Sequence, residues 1–195
     1  MYIRTQRALA VGVSEIKGLK SFIGHEGECY QGNLYLNNKK IGFWSQDSNG
    51  CIQDNLDLDR EYSEGQLRKE IIILNKDKAI KGKSLSGQDY VFEYDLEKLM
   101  TDLLVLMDDE KAFKKAVKEG YSMTLVVSDY YHVSTWKLSG PYLLLTDEEL
   151  IKKLDKEITQ AKSKMFQNKE INIKIYRSLD DFNVGEKISL NNIKR

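Results

Sequence analysis

The chain of 195 residues is poor in the two residue types that most constrain a fold, with one proline and two cysteines. Two cysteines are too few for a disulfide scaffold, and a reducing compartment would keep Cys29 and Cys51 as thiols. No low-complexity tract is present, and hydrophobic residues make up 41% of the chain against 31% charged residues. This balance is typical of a globular protein and argues against a disordered one.

The sequence also lacks a net charge and a long apolar run. Its 30 basic residues balance its 30 acidic residues, so no overall field draws the chain towards duplex nucleic acid or an anionic membrane. The apolar run at residues 8–13 is too short for a secretory signal, and no segment reaches the roughly 18 apolar residues of a membrane span. We therefore expect a cytoplasmic protein that binds neither duplex nucleic acid nor membranes.

The first third of the chain has the pattern of an antiparallel β-meander. Apolar and aromatic residues predict strands at residues 15–22, 30–36 and 41–45. The segment NNKK at residues 37–40 predicts a tight hairpin turn, because asparagine tolerates the positive φ that such a turn requires.

A meander brings two glycine-containing loops together. The loops at residues 23–29 and 46–51 emerge at the same end of the sheet, and the turn at residues 37–40 lies at the other end. We call the first end the rim. The predicted rim gathers His25, Glu26, Glu28, Gln46, Asp47 and Asn49.

The middle of the chain is predicted to be helical. Residues 54–87 are charged and turn-rich, and we interpret them as a variable connection with one element at residues 71–74. Apolar residues recur at helical spacing over residues 90–107. Asp108 then has the character of an N-cap, opening a second helix that ends at Gly120.

The last third predicts a ββαβ-type module. Strands are expected at residues 123–127 and 133–138, and the capping box TDEE at residues 146–149 opens a helix. A final strand follows at residues 171–175, and the tail at residues 185–195 is expected to fray or form an arm.

These predictions define an α+β protein with an N-terminal antiparallel β-meander, a helical middle and a C-terminal ββαβ-type module. The predicted organisation is one compact unit with a meander module at residues 1–60, a variable connection and helix at 61–107, an α/β module at 108–184 and a tail at 185–195.

The rim segment GHEGE carries residue types suited to acid–base chemistry. His25 titrates near neutral pH, and Glu26 or Glu28 could orient it. Gly24 and Gly27 would let backbone amides approach phosphate or carboxylate oxygens. Three interpretations stay open, namely ordinary loop structure, contact with a ligand or partner, and catalysis. No nucleophile with a matching base is recognisable, so no catalytic residue is assigned.

A metal site is not expected. His25, Cys29, Cys51 and His132 are the only nitrogen and sulfur ligands of the types that zinc prefers, and their spacing matches no zinc finger or ribbon. Small buried thiols are the commoner interpretation of the cysteines. We expect no metal and no cofactor.

Aromatic residues interleaved with lysines form a second candidate binding pattern. Trp44 lies next to Phe43 in a predicted strand, and Lys39 and Lys40 precede them. Aromatic faces stack on bases and lysines neutralise phosphates, although aromatics are also ordinary strand and core residues. Since strand residues alternate, only one of Phe43 and Trp44 can face the core. An exposed aromatic side chain is a sign of a binding partner.

The run IKGLKSFIGHEGECYQGNLYLNNKKIGFWS at residues 16–45 resembles the N-terminal segment of small accessory proteins carried by bacteriophages and prophages of low-GC Gram-positive bacteria. The shared features are GLKSF, then GHEG, then QG and an asparagine or glycine turn before KK. The later segments KAFKKAVKEGY and IYRSLDDFN look similar to the C-terminal halves of those proteins. The resemblance implies a protein that acts against bacterial immunity.

Three hypotheses for function follow. The leading one is a non-enzymatic binding protein that sequesters a nucleotide-derived signal, held at the rim, on the aromatic surfaces or between copies of the chain. The second is a protein inhibitor of a bacterial defence nuclease. The third is a small hydrolase that uses His25 with Glu26 or Glu28. The number of copies in the assembly is left open. The candidate ligand-binding residues are Gly24, His25, Glu26, Gly27, Glu28, Gln46, Asp47, Asn49, Trp44, Lys39 and Lys40.

Overall fold

A computed structural model of the protein describes residues 4–5, 15–25, 27–37, 39–47, 54–83, 86–129, 132–165, 171–182 and 188–195. Strands and helices both contribute, so the α+β class is confirmed. The chain forms two compact units. The meander unit comprises Ala10–Leu104 and Gly185–Arg195, and the ββαβ unit comprises Met1–Leu9 and Val105–Val184.

The meander unit is built on a four-stranded antiparallel sheet. Its strands, in spatial as well as chain order, are β2 (Glu15–Ile23), β3 (Glu28–Leu36), β4 (Lys39–Gln46) and β5 (Asp54–Leu58). The three predicted strands and the antiparallel meander are therefore confirmed. Asn37 in the turn between β3 and β4 has a φ of 50°, the left-handed conformation that asparagine tolerates.

The fourth strand, β5, was missed by sequence reasoning. Residues 54–58 read DNLDL, and only Leu56 and Leu58 supply an apolar alternation. Three polar residues in five made the segment look like a loop. Its pairing with β4 decides the conformation, since Trp44 lies opposite Leu56 and Gly42 lies opposite Leu58.

Two helices and a hairpin complete the continuous part of the meander unit. Helix α1 (Glu64–Leu74) begins at the N-cap Ser63, whose hydroxyl accepts a hydrogen bond from the amide of Gln66. Strands β6 (Ile80–Lys83) and β7 (Asp89–Phe92) form a two-stranded hairpin. Helix α2 (Leu96–Lys118) follows, and its residues up to Leu104 belong to the meander unit, whereas those from Val105 on belong to the ββαβ unit.

The structure corrects two predictions about α2. The helix does not begin at residue 90, because residues 89–92 pair with β6 as a strand. Asp108 is not an N-cap, because a single helix continues through it. The next residue, Asp109, is buried and accepts hydrogen bonds from Lys174 (3.1 Å) and from the Tyr176 hydroxyl (2.7 Å). Asp108 therefore lies in the middle of a helix, next to a buried carboxylate that binds the neighbouring strand.

Residues 188–195, in the tail that was expected to fray or form an arm, instead pack within the meander unit. Ile188 and Ile193 are buried in the meander unit. The Asn37 side-chain amide donates to the carbonyl of Ile188 at 3.0 Å, and the Arg195 guanidinium donates to the carbonyl of Tyr62 at 2.9 Å. Two isoleucines in the eleven residues 185–195 are a weak sequence signal for an ordered segment. Both are nevertheless buried, and they anchor the segment to the meander unit.

The ββαβ unit has the predicted element order. Strands β8 (Met123–Ser128) and β9 (Val133–Leu138) form a hairpin, and β10 (Asn172–Tyr176) pairs antiparallel with β8. A short strand, β1 (Arg4–Thr5), extends the sheet parallel to β10, so the strand order is β1-β10-β8-β9.

The capping box that opens the helical part of this unit is confirmed. Thr146 accepts a hydrogen bond from the amide of Glu149, and the Glu149 carboxylate accepts one from the amide of Thr146. The predicted single helix is divided into α3 (Asp147–Lys153) and α4 (Asp155–Met165), with Leu154 as the C-cap of α3. Among the helices that the structure describes, none is long and apolar enough to cross a membrane.

Candidate functional site

The rim lies at one end of the meander sheet, where the loop between β2 and β3 meets the end of β4. The amide of Gly24 donates to the carbonyl of Gly27 at 2.8 Å and closes the loop as a tight turn. Gly27 has a φ of 153°, which side chains strain to adopt. The Sγ atom of Cys29 lies 3.4 Å from the carbonyl oxygen of Asp47. The structure therefore places His25 and Asp47 at the same end of the sheet.

The described part of the rim is anionic. His25 is exposed, while the Glu28 carboxylate accepts a hydrogen bond from the Tyr30 hydroxyl at 3.3 Å. The Gln46 side-chain carbonyl accepts one from the amide of Tyr30 at 2.9 Å. The Oδ1 atom of Asp47 is buried and finds no hydrogen-bond partner among the described residues. Glu26 and Asn49 lie outside those residues. Two carboxylates at this end oppose the binding of a phosphate.

Cys29 corrects the expectation of free thiols at the rim. Its sulfur is fully buried and disulfide-bonded. Pairing of β3 with β4 brings the Asp47 carbonyl oxygen, just past the end of β4, to 3.4 Å from this sulfur. Cys51, the other cysteine of the chain, lies outside the described residues.

One face of the meander sheet is buried. Trp44 is fully buried there, between Gly32 on β3 and Leu56 on β5. A ligand therefore cannot stack on the Trp44 ring in this conformation. Asp54 is buried as well, and burial raises its pKa to about 7, against the opposing effects of the Trp44 indole and the Arg68 guanidinium.

The other face of the same sheet is open, and we call it the open face. Residues directly opposite one another in register share a face, so the strand pairing identifies its members in two rows and one further pair. They are Lys17, Asn33, Phe43 and Asp57; Lys20, Gln31, Ser45 and Asn55; and Tyr35 with Lys40.

Aromatic, amide and cationic side chains meet on the open face. Phe43 is 37% exposed, which confirms that only one of Phe43 and Trp44 faces the core. The Lys17 ammonium lies 4.5 Å from the centroid of the Tyr35 ring. Gly18, in the bulge of β2, has a φ of 65°, and a Cβ atom there would lie 3.6 Å from the Asn33 amide nitrogen. Because Gly18 has no side chain, nothing at that position covers the Asn33 amide.

The two predicted lysine ligands are in different surroundings. Lys39 forms an ion pair with Glu61 at 2.8 Å and lies over the Tyr62 ring, and the hydrogen bond to Glu61 raises the pKa of the lysine. Lys40 is exposed on the open face opposite Tyr35. Of the two lysines, only Lys40 therefore places its positive charge on the open face.

Sequence reasoning missed three polar members of the open face, Lys17, Gln31 and Asn33. The signal was available in β3, where apolar and polar residues alternate through NLYL. This alternation identified the side of β3 that is buried. The polar positions on the other side were interpreted only as solvent-exposed and were not considered as binding residues.

The described residues contain no group of three or more histidine, cysteine or acidic side chains that could hold a metal ion. Comparison with known proteins gives no functional guide, because the chain matches no family model, no curated protein and no solved structure. The candidate site therefore depends on its own chemistry.

Proposed function

We propose that the protein is a non-enzymatic binding protein that captures a nucleotide-derived molecule on the open face of the meander sheet. The observation that carries the proposal is the row in which Lys17, Asn33 and Phe43 stand side by side on three neighbouring strands. Each supplies one of the three contacts that a nucleotide needs.

The chemistry of the row matches the parts of a nucleotide. The exposed Phe43 ring offers a stacking surface for a base, and such stacking is worth about 1 to 3 kcal/mol for each base. The Asn33 amide carries both a donor and an acceptor for the edge of a base. Lys17 neutralises phosphate charge. The open face supports the proposal better than the rim does, because Glu28 and Asp47 repel phosphate there.

Binding without catalysis is the simpler use of these groups. Stacking, amide contacts and lysines hold a ligand, whereas hydrolysis requires a positioned acid and base beside the scissile bond. The His25 hypothesis has less support, because His25 sits on the rim loop and the Glu28 carboxylate next to it is hydrogen-bonded to Tyr30.

The biological role is inferred from the resemblance of residues 16–45 to phage accessory proteins. We propose that the protein acts in the cytoplasm of an infected or lysogenic bacterium and counters immunity by sequestering a nucleotide-derived signal. Sequestration needs only affinity and abundance, so it fits a binding face that lacks catalytic groups.

Thermal shift measurements test this proposal. The protein should melt at a higher temperature with at least one member of a panel of mononucleotides, ADP-ribose derivatives, and linear and cyclic oligonucleotides at saturating concentration. Phe43→Ala should reduce the shift, because it removes the stacking surface. Phe92→Ala, which removes another exposed ring from the β6–β7 hairpin, should keep it. Unchanged melting across the whole panel would rule the proposal out.

Inhibition of a defence nuclease by direct contact is the second candidate, and the β6–β7 hairpin favours it. Ile80 and Phe92 lie opposite each other and are 59% and 65% exposed. Exposed apolar side chains of this size commonly mark protein interfaces. Co-purification with a host nuclease, lost in Phe92→Ala and kept in Phe43→Ala, would favour inhibition.

Native mass spectrometry of the same sample reports retained small molecules and the number of copies of the chain in the assembly.

A further inference from the structure

We infer that the ligand of the open face is a linear single-stranded oligonucleotide that lays two bases on the sheet, rather than a mononucleotide. This inference rests on the proposed function and narrows its ligand class. Its basis is a pair of aromatic side chains, Phe43 and Tyr35, on neighbouring strands of one face.

The spacing of these two rings suits two linked nucleotides. Asn33 lies directly opposite Phe43, and Tyr35 is two residues further along β3. Tyr35 is therefore a diagonal neighbour of Phe43, although the β3–β4 ladder shifts register between Leu34 and Tyr35. In a regular ladder such diagonal positions are about 7 to 8 Å apart. One base covers one ring, so a mononucleotide leaves the second ring unused. Four-stranded antiparallel sheets with aromatic side chains on one face hold two or three unstacked bases in this manner.

Lys17 connects the stacking sites with the phosphate between them. Its ammonium lies 4.5 Å from the Tyr35 ring centroid as a cation–π contact. A base that stacks on Tyr35 displaces this ammonium, and the flexible lysine side chain can then pair with the phosphate that links the two bases. Lys20 and Lys40 occupy the flanking rows of the same face.

The open face attracts phosphate groups only modestly. Asp57 lies opposite Phe43. An acidic residue thus accompanies the three lysines, and a duplex that depends on many phosphate contacts gains little from so few cations. Stacking is left as the main source of affinity, which selects strands whose bases are already unpaired.

Two amide side chains lie where base edges would pass. Asn33 is between Lys17 and Phe43, and Gln31 is between Lys20 and Ser45 on the next row. Amide side chains can donate and accept at once, as the edges of bases require.

The test is fluorescence anisotropy of the full-length protein with labelled linear oligonucleotides of one, two, four and eight nucleotides. We expect at least a tenfold gain in affinity from one nucleotide to four. Phe43→Ala and Tyr35→Ala should each weaken binding of the tetranucleotide about tenfold, within the range for loss of one stacked base. Phe43→Tyr should retain binding, and the control Phe92→Ala should not change it.

Salt titration gives a second readout. Each neutralised phosphate contributes about −0.7 to the slope of log affinity against log salt for a single strand. Lys17→Ala should make the slope shallower by about this amount. Melting curves of all variants establish that they are folded, because Lys17, Phe43 and Phe92 are exposed and Tyr35 is half-buried.

The outcomes separate the inference from the proposed function. Equal affinity for one and four nucleotides, or tighter binding of a cyclic dinucleotide than of any linear strand, would overturn the inference and leave nucleotide capture standing. Binding of duplexes as tightly as single strands would also overturn it. If none of these ligands binds and the thermal shift panel is negative too, both the inference and the proposed function fail.

Discussion

Asp54 shows how a single residue ties the stability of the meander unit to pH. It begins β5, opposite Gln46, and only 4% of it is exposed. Burial raises its pKa from the ordinary 3.8 to about 7, with the nearby Glu97 acting in the same direction and Arg68 opposing. The folded protein therefore holds this proton more tightly than the unfolded chain does.

The first prediction concerns this acid. Between pH 3.8 and about 7 the folded state binds more protons, so its free energy of unfolding falls as the pH rises through this window. Asp54→Asn removes the cost of the buried charge. We expect it to raise the free energy of unfolding at pH 8 by on the order of 1 to 3 kcal/mol, and by less at pH 4.

Urea unfolding of the two proteins at both pH values measures the difference. Asp57→Asn, an exposed acid on the same strand, controls for the loss of a negative charge. A gain from Asp54→Asn that is equal at pH 4 and pH 8, or a loss at pH 8, would contradict the assignment of a costly buried carboxylate.

At the scale of elements, the β4–β5 pair depends on the absence of one side chain. A Cβ atom on Gly42 would lie 2.4 Å from the carbonyl oxygen of Asp57 and 2.7 Å from the Cα atom of Leu58. Both neighbours are backbone atoms, so they cannot rotate away. Close approach of the two strands therefore requires glycine at this position.

The second prediction follows from that contact. Gly42→Ala should lower the free energy of unfolding by about 1 to 3 kcal/mol, because the strands must shift apart. Gly65→Ala is the matched control, since a Cβ atom there meets only the Ser63 hydroxyl at 3.9 Å and alanine favours the helix by up to about 1 kcal/mol. Thermal unfolding should move in opposite directions for the two variants. A Gly42→Ala protein as stable as the native one would mean that β5 does not pack this closely.

At the scale of the whole molecule, the chain closes the meander unit with its own C-terminal segment. Residues 188–195 return to the elements formed by residues 10–104, where Ile193 is fully buried and the amide of Arg195 donates to the carbonyl of Glu61 at 3.1 Å. The unit thus requires both parts of the sequence.

The third prediction tests this closure. Ile193→Ala should lower the free energy of unfolding by about 2 to 5 kcal/mol, the usual range for a large aliphatic side chain removed from a core. Leu144→Ala, at a position that is 89% exposed, should have little effect. Denaturant unfolding of both variants decides the matter. If Ile193→Ala proves as harmless as the control, the C-terminal segment does not contribute to the core.

Local patterns in the sequence were enough to predict a good part of this architecture. The alternation of residues in β2, β3 and β4, the Asn37 turn and the Thr146–Glu149 capping box all depend on neighbours within a few residues. Such patterns act through side-chain direction and backbone hydrogen bonding, so they are legible in any short window. They also predicted that only one aromatic ring of the Phe43–Trp44 pair would face the core.

Only the tertiary structure decided the rest. It made a strand of the polar segment at residues 54–58, carried α2 through Asp108, buried Ile193 near the chain end and brought Cys29 into a disulfide. It also showed that Lys17, Asn33 and Phe43 form one row. For β5, α2 and Ile193 the deciding contacts join separate segments of the chain, and the free energy comes from burial or pairing between those segments, which no short stretch of sequence contains.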